Sequence, residues 1–161
     1  MSHLESAAAE PALRSTAIAR ALHGAFCRGV SSVELLQLAC TKIHQSGPPY
    51  SHVYMYRLQS EHSLTVVAHS GQSPNANSIN APSGPRLSAV SDRANLYMPL
   101  ITAPDRHQTH SPDTQSELIT LIRLHDDIIG EIDIESDLPD AFDEAEQAAV
   151  VEVADALAAL L

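Results

Sequence analysis

The sequence predicts an α+β domain in which helices precede and follow a block of mainly antiparallel strands. Three observations carry this: two helical apolar stripes between Ala12 and Ile43, period-two patterns separated by turn residues from His52 onward, and a strand, turn and helix start packed into Gly130–Glu146.

The elements follow in order. Leu13, Ala17, Ala21, Leu22, Ala25 and Phe26 form the first stripe, with Gly29 as its stop. Ser31 and Glu34 read as a capping box, and Val33, Leu36, Ala39, Cys40 and Ile43 give the second helix one apolar face until Gly47-Pro48-Pro49 breaks it. His52–Leu58 and Leu64–Ala68 read as a hairpin turning at Glu61-His62. Ser, Asn and Pro dominate Gly71–Gly84, a loop or lid. Leu87–Ala94 suits a short helix, Leu96–Ile101 a strand, and Thr102–Thr114 a second polar loop containing His107 and His110. Near the C-terminus Ile132 and Ile134 alternate with Glu131, Asp133 and Glu135, Pro139 ends that strand, and Asp143 with Glu146 reads as a capping box opening a helix over Ala145–Leu161.

At 161 residues the chain fits a single domain over 12–161 behind a disordered tail of residues 1–11, and it can bury a core without a metal or disulfide staple. No stretch reaches the roughly eighteen apolar residues of a membrane span, and Met1–Glu10 lacks a signal peptide's basic start and apolar core, so a cytoplasmic location is expected. Cys27 and Cys40 read as small buried hydrophobes. The net charge of −11 is unevenly spread: from Asp113 onward there are 14 acidic residues against Arg123 alone. That distribution argues against nucleic acid and anionic membranes as partners, since both need a basic surface.

The last helix has few polar positions, Glu146, Gln147, Glu152 and Asp155, so its apolar surface is too wide for one interface with its own sheet. A homodimer through Ala12–Arg28 and Ala145–Leu161 is the expected second partner; the competing explanation is that its alanines merely favour helix formation.

The candidate site depends on the hairpin at Leu124–Asp127. A three-residue loop, His125–Asp127, sets Glu117 opposite Glu135 and on the same face as Asp133, whereas a two-residue loop, Asp126-Asp127, pairs Glu117 with Ser136 and turns it toward Ile132 and Ile134. In the first case three carboxylates share one face, and either one takes a proton or a cationic group arrives. The alternative is an ordinary wet face of an antiparallel sheet. His107 and His110, with Asp105 and Asp113 nearby, could supply ligands to a metal ion, but exposed histidines of a polar loop holding no metal are the favoured reading, and the sequence leaves any cofactor unknown.

Ser116-Glu117-Leu118, then Gly130-Glu131-Ile132-Asp133-Ile134, then Phe142-Asp143 with Glu146, resemble the C-terminal half of a GAF domain. The resemblance implies a GAF/PAS-like fold: five or six mainly antiparallel strands, with the N- and C-terminal helices on one face and loops closing a pocket over the other. Within that family the layout from Met98-Pro99 to Glu117 is similar to free methionine-(R)-sulfoxide reductases. Their substrate-binding carboxylates fall at Glu117, Asp133 and Glu135, the last a longer substitute for an aspartate. Their nucleophilic loop cysteine is matched by His110 here, and Arg86 stands where another redox cysteine would be. Imidazole cannot form the sulfenic acid and disulfide that such reduction requires.

These readings point to a non-catalytic small-molecule sensor that signals through a dimer or a separate protein, with Glu117, Asp133, Glu135, His107 and His110 as ligand-binding residues. Two other readings stay open: an enzyme on an amino-acid-like molecule that uses the histidines and carboxylates as acids and bases, and a ligand-free dimerisation or scaffold domain whose sheet face is empty or filled solid.

Overall fold

A computed structural model describes residues 10–75 and 84–161; most of the expected N-terminal tail and most of the Gly71–Gly84 loop lie outside them. In chain order the elements are α1 (Ser15–Cys27), α2 (Ser32–His44), β1 (His52–Ser60), β2 (Ser63–Ser70), α3 (Pro85–Asp92), β3 (Leu96–Met98), a 3₁₀ helix (Ala103–Gln108), β4 (Ser116–Leu124), β5 (Asp127–Ser136) and α4 (Glu144–Leu160). The five strands lie in the order β2-β1-β5-β4-β3, and every neighbouring pair is antiparallel.

Alternation along β5 divides the interior in two. Ile132 and Ile134 face α1, α2 and α4 in the larger core, together with Val53, Met55, Leu118 and Ile122. Tyr54, Tyr56, Ile119 and Leu121 face the other way, where Leu87, Ala89 and Val90 of α3 cover them. Both faces are therefore dry, and the acidic residues of β5 do not form the solvated face that antiparallel sheets commonly keep.

The helices depart from the expected stripes in instructive ways. In α1 the buried positions are Ile18, Leu22 and Ala25, spaced i, i+4, i+7, while Ala17 and Phe26 are exposed. Leu13 is buried but precedes the helix, so a stripe phased on it is rotated off the true contact face. For the same reason Cys27 is exposed, whereas Cys40 is buried as expected. In α2, Leu35 takes the inward place and Val33 faces solvent; the Ser31/Glu34 capping box forms in both directions. The last helix does pack on two sides, and its second partner is α1 of the same chain.

At the start of α4 only half of the expected capping box forms. Asp143 Oδ1 accepts the Glu146 N–H at 2.9 Å. The Glu146 carboxylate turns away, accepting the Leu13 N–H at 3.4 Å, the Ala12 N–H and the Tyr50 hydroxyl. One side chain thus ties the entry to α1, the entry to β1 and the start of α4. Burial, followed by the Glu146 hydrogen bond, keeps the Tyr50 phenol protonated at any ordinary pH.

The β4–β5 register decides where Glu117 points. Leu124 pairs with Asp127 across a two-residue turn, His125-Asp126, with His125 left-handed at φ 57°. A bulge follows: Arg123 pairs with Ile128 but Ile122 with Gly130, leaving Ile129 as the extra residue, and Glu117 comes to lie opposite Glu135. Gly130 closes this irregularity because any Cβ there would collide with the Tyr56 carbonyl of β1.

Two stability outcomes follow. Glu146→Ala should lower the unfolding free energy by about 2–3 kcal/mol, since it orphans three donors in two segments at once, the Leu13 N–H and Tyr50 hydroxyl among them buried. Gly130→Ala should cost at least about 2 kcal/mol through backbone displacement. Urea denaturation with an unchanged slope checks both, and a neutral Gly130→Ala would mean that β1 and β5 separate freely.

Candidate functional site

The site grows from period-two geometry. Glu131, Asp133 and Glu135 share one face of β5, with Tyr56, Tyr54 and His52 beside them on β1 and Leu121, Ile119 and Glu117 on β4. Glu117, Glu131, Asp133 and Glu135 are each at most 1% exposed. A charged carboxylate survives in such a place only against a cation or a set of donors.

The cation comes from the chain itself. Arg86, the second residue of α3 and 2% exposed, donates from Nε to Asp133 Oδ2 at 2.5 Å and from Nη2 to Glu117 Oε1 at 3.3 Å and Glu135 Oε2 at 3.4 Å. Its Nη1 donates to the Gln108 carbonyl at 3.0 Å, and its guanidinium carbon lies 5.4 Å from the Tyr56 ring centre. Glu135 also holds the segment after the 3₁₀ helix. It accepts the His110 N–H at 2.8 Å, the Ser111 N–H at 3.1 Å and the Thr114 hydroxyl at 2.6 Å.

Of the five sequence-derived residues, the structure brings together Glu117, Asp133, Glu135 and His110; His107 lies exposed on the 3₁₀ helix. His110 points inward between Tyr54 and Tyr56. Its Nδ1 accepts the Asn75 N–H at 2.7 Å, which puts the proton of the neutral ring on Nε2, facing the Tyr56 hydroxyl. The combination of His107 and His110 with Asp105 and Asp113 does not assemble, because only His110 is buried. His110, Asp133 and Glu135 do lie close, with ligand-type atoms within 4.8 Å of one another. Both imidazole nitrogens are already engaged, and a metal ion there would have to share Asp133 and Glu135 with the guanidinium.

Sequence reasoning missed Arg86 as an occupant of the site, although the need for a counter-charge was its signal. Tyr56, Ser111 and Thr114 carried none. Glu131 reads as one more member of an acidic face, yet it is the residue without partners: both of its carboxyl oxygens and Asp133 Oδ1 are buried and have no hydrogen-bond partner among the described residues.

Protons supply what one arginine cannot. Burial first, then Asp133, raises Glu131 and Glu117 well above the ordinary 4.5, and the same two causes bring Glu135 up to about 7 against the downward pull of Thr114, the His110 N–H and Arg86. Burial, then Arg86, lowers His110 from 6.5 to about 4. The cluster thus resists full ionisation: four buried carboxyl groups share one guanidinium, and the upward shifts of Glu117, Glu131 and Glu135 favour proton uptake over further unpaired charge.

A cavity of about 210 Å³ adjoins this cluster, bounded by Leu96, Met98, Ile101, Asp105, Gln108 and Glu117. Larger clefts of about 370 and 520 Å³ open elsewhere on the molecule, and neither is lined by any of the four buried carboxyl groups.

The fold with its loop-covered sheet face is that of GAF domains. No protein-family model and no curated protein matches the sequence. Among solved structures, the chain is similar to a type II free methionine-R-sulfoxide reductase from Thermoplasma acidophilum, at 29% identity over 80% of this chain and 90% of that one, with a TM-score of 0.73. It is also similar to a free methionine-R-sulfoxide reductase from Neisseria meningitidis solved with its substrate (18% identity, 99% and 95% covered, TM-score 0.79). The GAF domain of an Acinetobacter phosphoenolpyruvate-protein phosphotransferase shares the fold too (14% identity, 90% of each chain covered, TM-score 0.71). Free methionine-R-sulfoxide reductases, a phosphotransferase GAF domain and a putative GAF sensor protein from Burkholderia vietnamiensis (14% identity, TM-score 0.75) are all built on this fold, and among the described residues no helix is long and apolar enough to cross a membrane.

The raised carboxyls give stability a defined pH dependence. Glu117, Glu131 and Glu135 bind protons more tightly folded than unfolded, so their contribution is complete below about 4.5 and is lost as pH rises through their folded values, about 7 for Glu135 and well above the ordinary 4.5 for the other two. His110 acts in the opposite sense, contributing above 6.5 and losing its contribution as pH falls toward about 4. Glu131→Gln removes one contribution, so its stability advantage over wild type should be small near pH 5 and widen as pH rises toward the raised folded value of Glu131, by on the order of 1 kcal/mol per pH unit. Urea midpoints at four pH values check this, and parallel profiles would remove Glu131 from the account.

Proposed function

We propose that this protein is a non-catalytic regulatory domain that binds a small molecule at the Glu117–Asp133–Glu135 face. The observation that carries the reading is the guanidinium of Arg86, buried against three carboxylates at the place where chemistry would need a reactive group. The two thiols support it from the other side. Cys40 lies in the helical core beyond the sheet and Cys27 on the outer surface of α1, so neither is placed to attack a molecule at this face. The cavity beside Glu117, apolar at Leu96, Met98 and Ile101 and acidic at Glu117 and Asp105, suits a small ligand with a donor group at one end.

Output passes to a second copy or to a separate protein through the helical side, where Phe26 of α1 is 47% exposed. The acidic C-terminal third makes nucleic acid an unsuitable partner.

Two assays on the full chain test the reading. Methionine sulfoxide with a thiol reductant should give no turnover above the uncatalysed rate. A thermal-shift panel of amino acids, their amides and sulfoxides, cyclic nucleotides and purines should give a rise of several degrees for one chemical class at a hundredfold excess over its dissociation constant. Glu117→Gln should abolish that rise, and a panel silent throughout would favour a solid-filled scaffold domain instead.

A further inference from the structure

The acidic face offers more recognition than its occupant uses. Around Arg86, acceptors lie along three edges of a planar fork: Asp133 Oδ2 on Nε, Glu117 Oε1 and Glu135 Oε2 on Nη2, and the Gln108 carbonyl on Nη1. The Tyr56 ring lies 5.4 Å from the guanidinium carbon. A compact ammonium cannot meet these partners at once, whereas a delocalised planar cation can. Asp133 Oδ1 and both oxygens of Glu131 remain buried without a donor among the described residues. Four buried carboxyl groups therefore face one cation, with three acceptor atoms unspent beside it.

Arg86 is also placed to leave. It sits at the start of α3, next to the 210 Å³ cavity, which Pro85 and Ser88 line from that helix. Asp105 at the rim of the same cavity is exposed and would give a displaced guanidinium a hydrated partner.

We propose that this cavity is a binding site for a small molecule carrying a guanidinium or amidinium group, which enters by exchange with the Arg86 side chain. Arg86 is then a tethered occupant that closes the site when no ligand is present, and the ligand's body fills the cavity beside Glu117. The proposal rests on the preceding reading in that the ligand is bound and not consumed.

Arg86→Ala in the full chain tests it by thermal shift at pH 7, with methylguanidinium chloride as the probe and methylammonium chloride at the same concentration as the control. Methylguanidinium should raise the melting temperature of Arg86→Ala by about 3–5 °C at a tenfold excess over its dissociation constant, and methylammonium should not. Adding Glu117→Gln to that variant should remove the rise. If Arg86→Ala is unfolded alone, recovery of its fold by methylguanidinium and not by methylammonium supports the site; a variant that both probes leave unchanged, or shift equally, overturns it. Arg86→Lys keeps a charge but loses the fork. It should respond at lower methylguanidinium concentrations than wild type, where Arg86 competes intramolecularly, and an identical response would overturn its role as tethered occupant. Turnover of methionine sulfoxide by wild type would sink the non-catalytic reading and leave these outcomes standing.

Discussion

Four carboxyl groups share the dry side of one sheet with a single guanidinium, and the surrounding structure is arranged to make that tolerable. A buried carboxylate is stable only when its oxygens are satisfied or when it carries a proton. Asp133 takes Arg86. Glu135 takes donors from the His110–Thr114 segment, which fixes the end of a polar loop that has little apolar content to order it. Arg86 anchors the start of α3 in turn, so that Leu87, Ala89 and Val90 cover the sheet face of Tyr54, Tyr56, Ile119 and Leu121. Removing the charge balance would therefore loosen a helix and a loop together, which is why the acidic face belongs to the fold as much as to the site.

Much of this is legible in the sequence, and the failures have physical causes. The β5 alternation, the Ser31/Glu34 box and the β1–β2 hairpin are local patterns, and they form as written. The opposition of Glu117 and Glu135 depends on parity, which turn and bulge set jointly: a two-residue turn alone would have broken it, and Ile129 restores it. A bulge has no local signature beyond Gly130, and the reason for that glycine is the Tyr56 carbonyl on a strand more than seventy residues away in sequence. Long-range partners explain the other misses too. Glu146 abandons its capping role for Ala12, Leu13 and Tyr50, and α1 rotates because its first buried leucine is outside the helix. Arg86 is the clearest case, since the requirement for a cation is visible in the sequence but its source is not.

Similarity to reductases and to a putative GAF sensor at once means that the fold does not choose between them. The side chains on the face have to. Reduction of a sulfoxide needs a thiolate that attacks and a second thiol that resolves the product. Here the face carries carboxyls, a neutral imidazole whose two nitrogens are both engaged, and a guanidinium that cannot lose its proton. None of them is a thiol, and in the reading proposed above they serve recognition, binding charge and shape.

Position on β5 also determines how an event at this face would reach the helices. Asp133 and Ile134 are adjacent and project to opposite sides of one central strand, the first to Arg86 and the second into the core formed with α1, α2 and α4. Neither is exposed, and close-packed protein interiors do not absorb displacement locally. Any rearrangement that moves Asp133 must therefore either leave the backbone of β5 in place, so that only side chains exchange, or shift Ile132 and Ile134 against Val150, Val153 and Leu157 of α4. Hydrogen bonds to β1 and β4 on both sides of β5 favour the first outcome, while a change in the His110–Thr114 segment, which Glu135 pins from the same strand, favours the second. The regulatory role proposed above needs the second, and the attachment of loop, helix α3 and strand to one cluster of ionisable groups is the feature that would couple them.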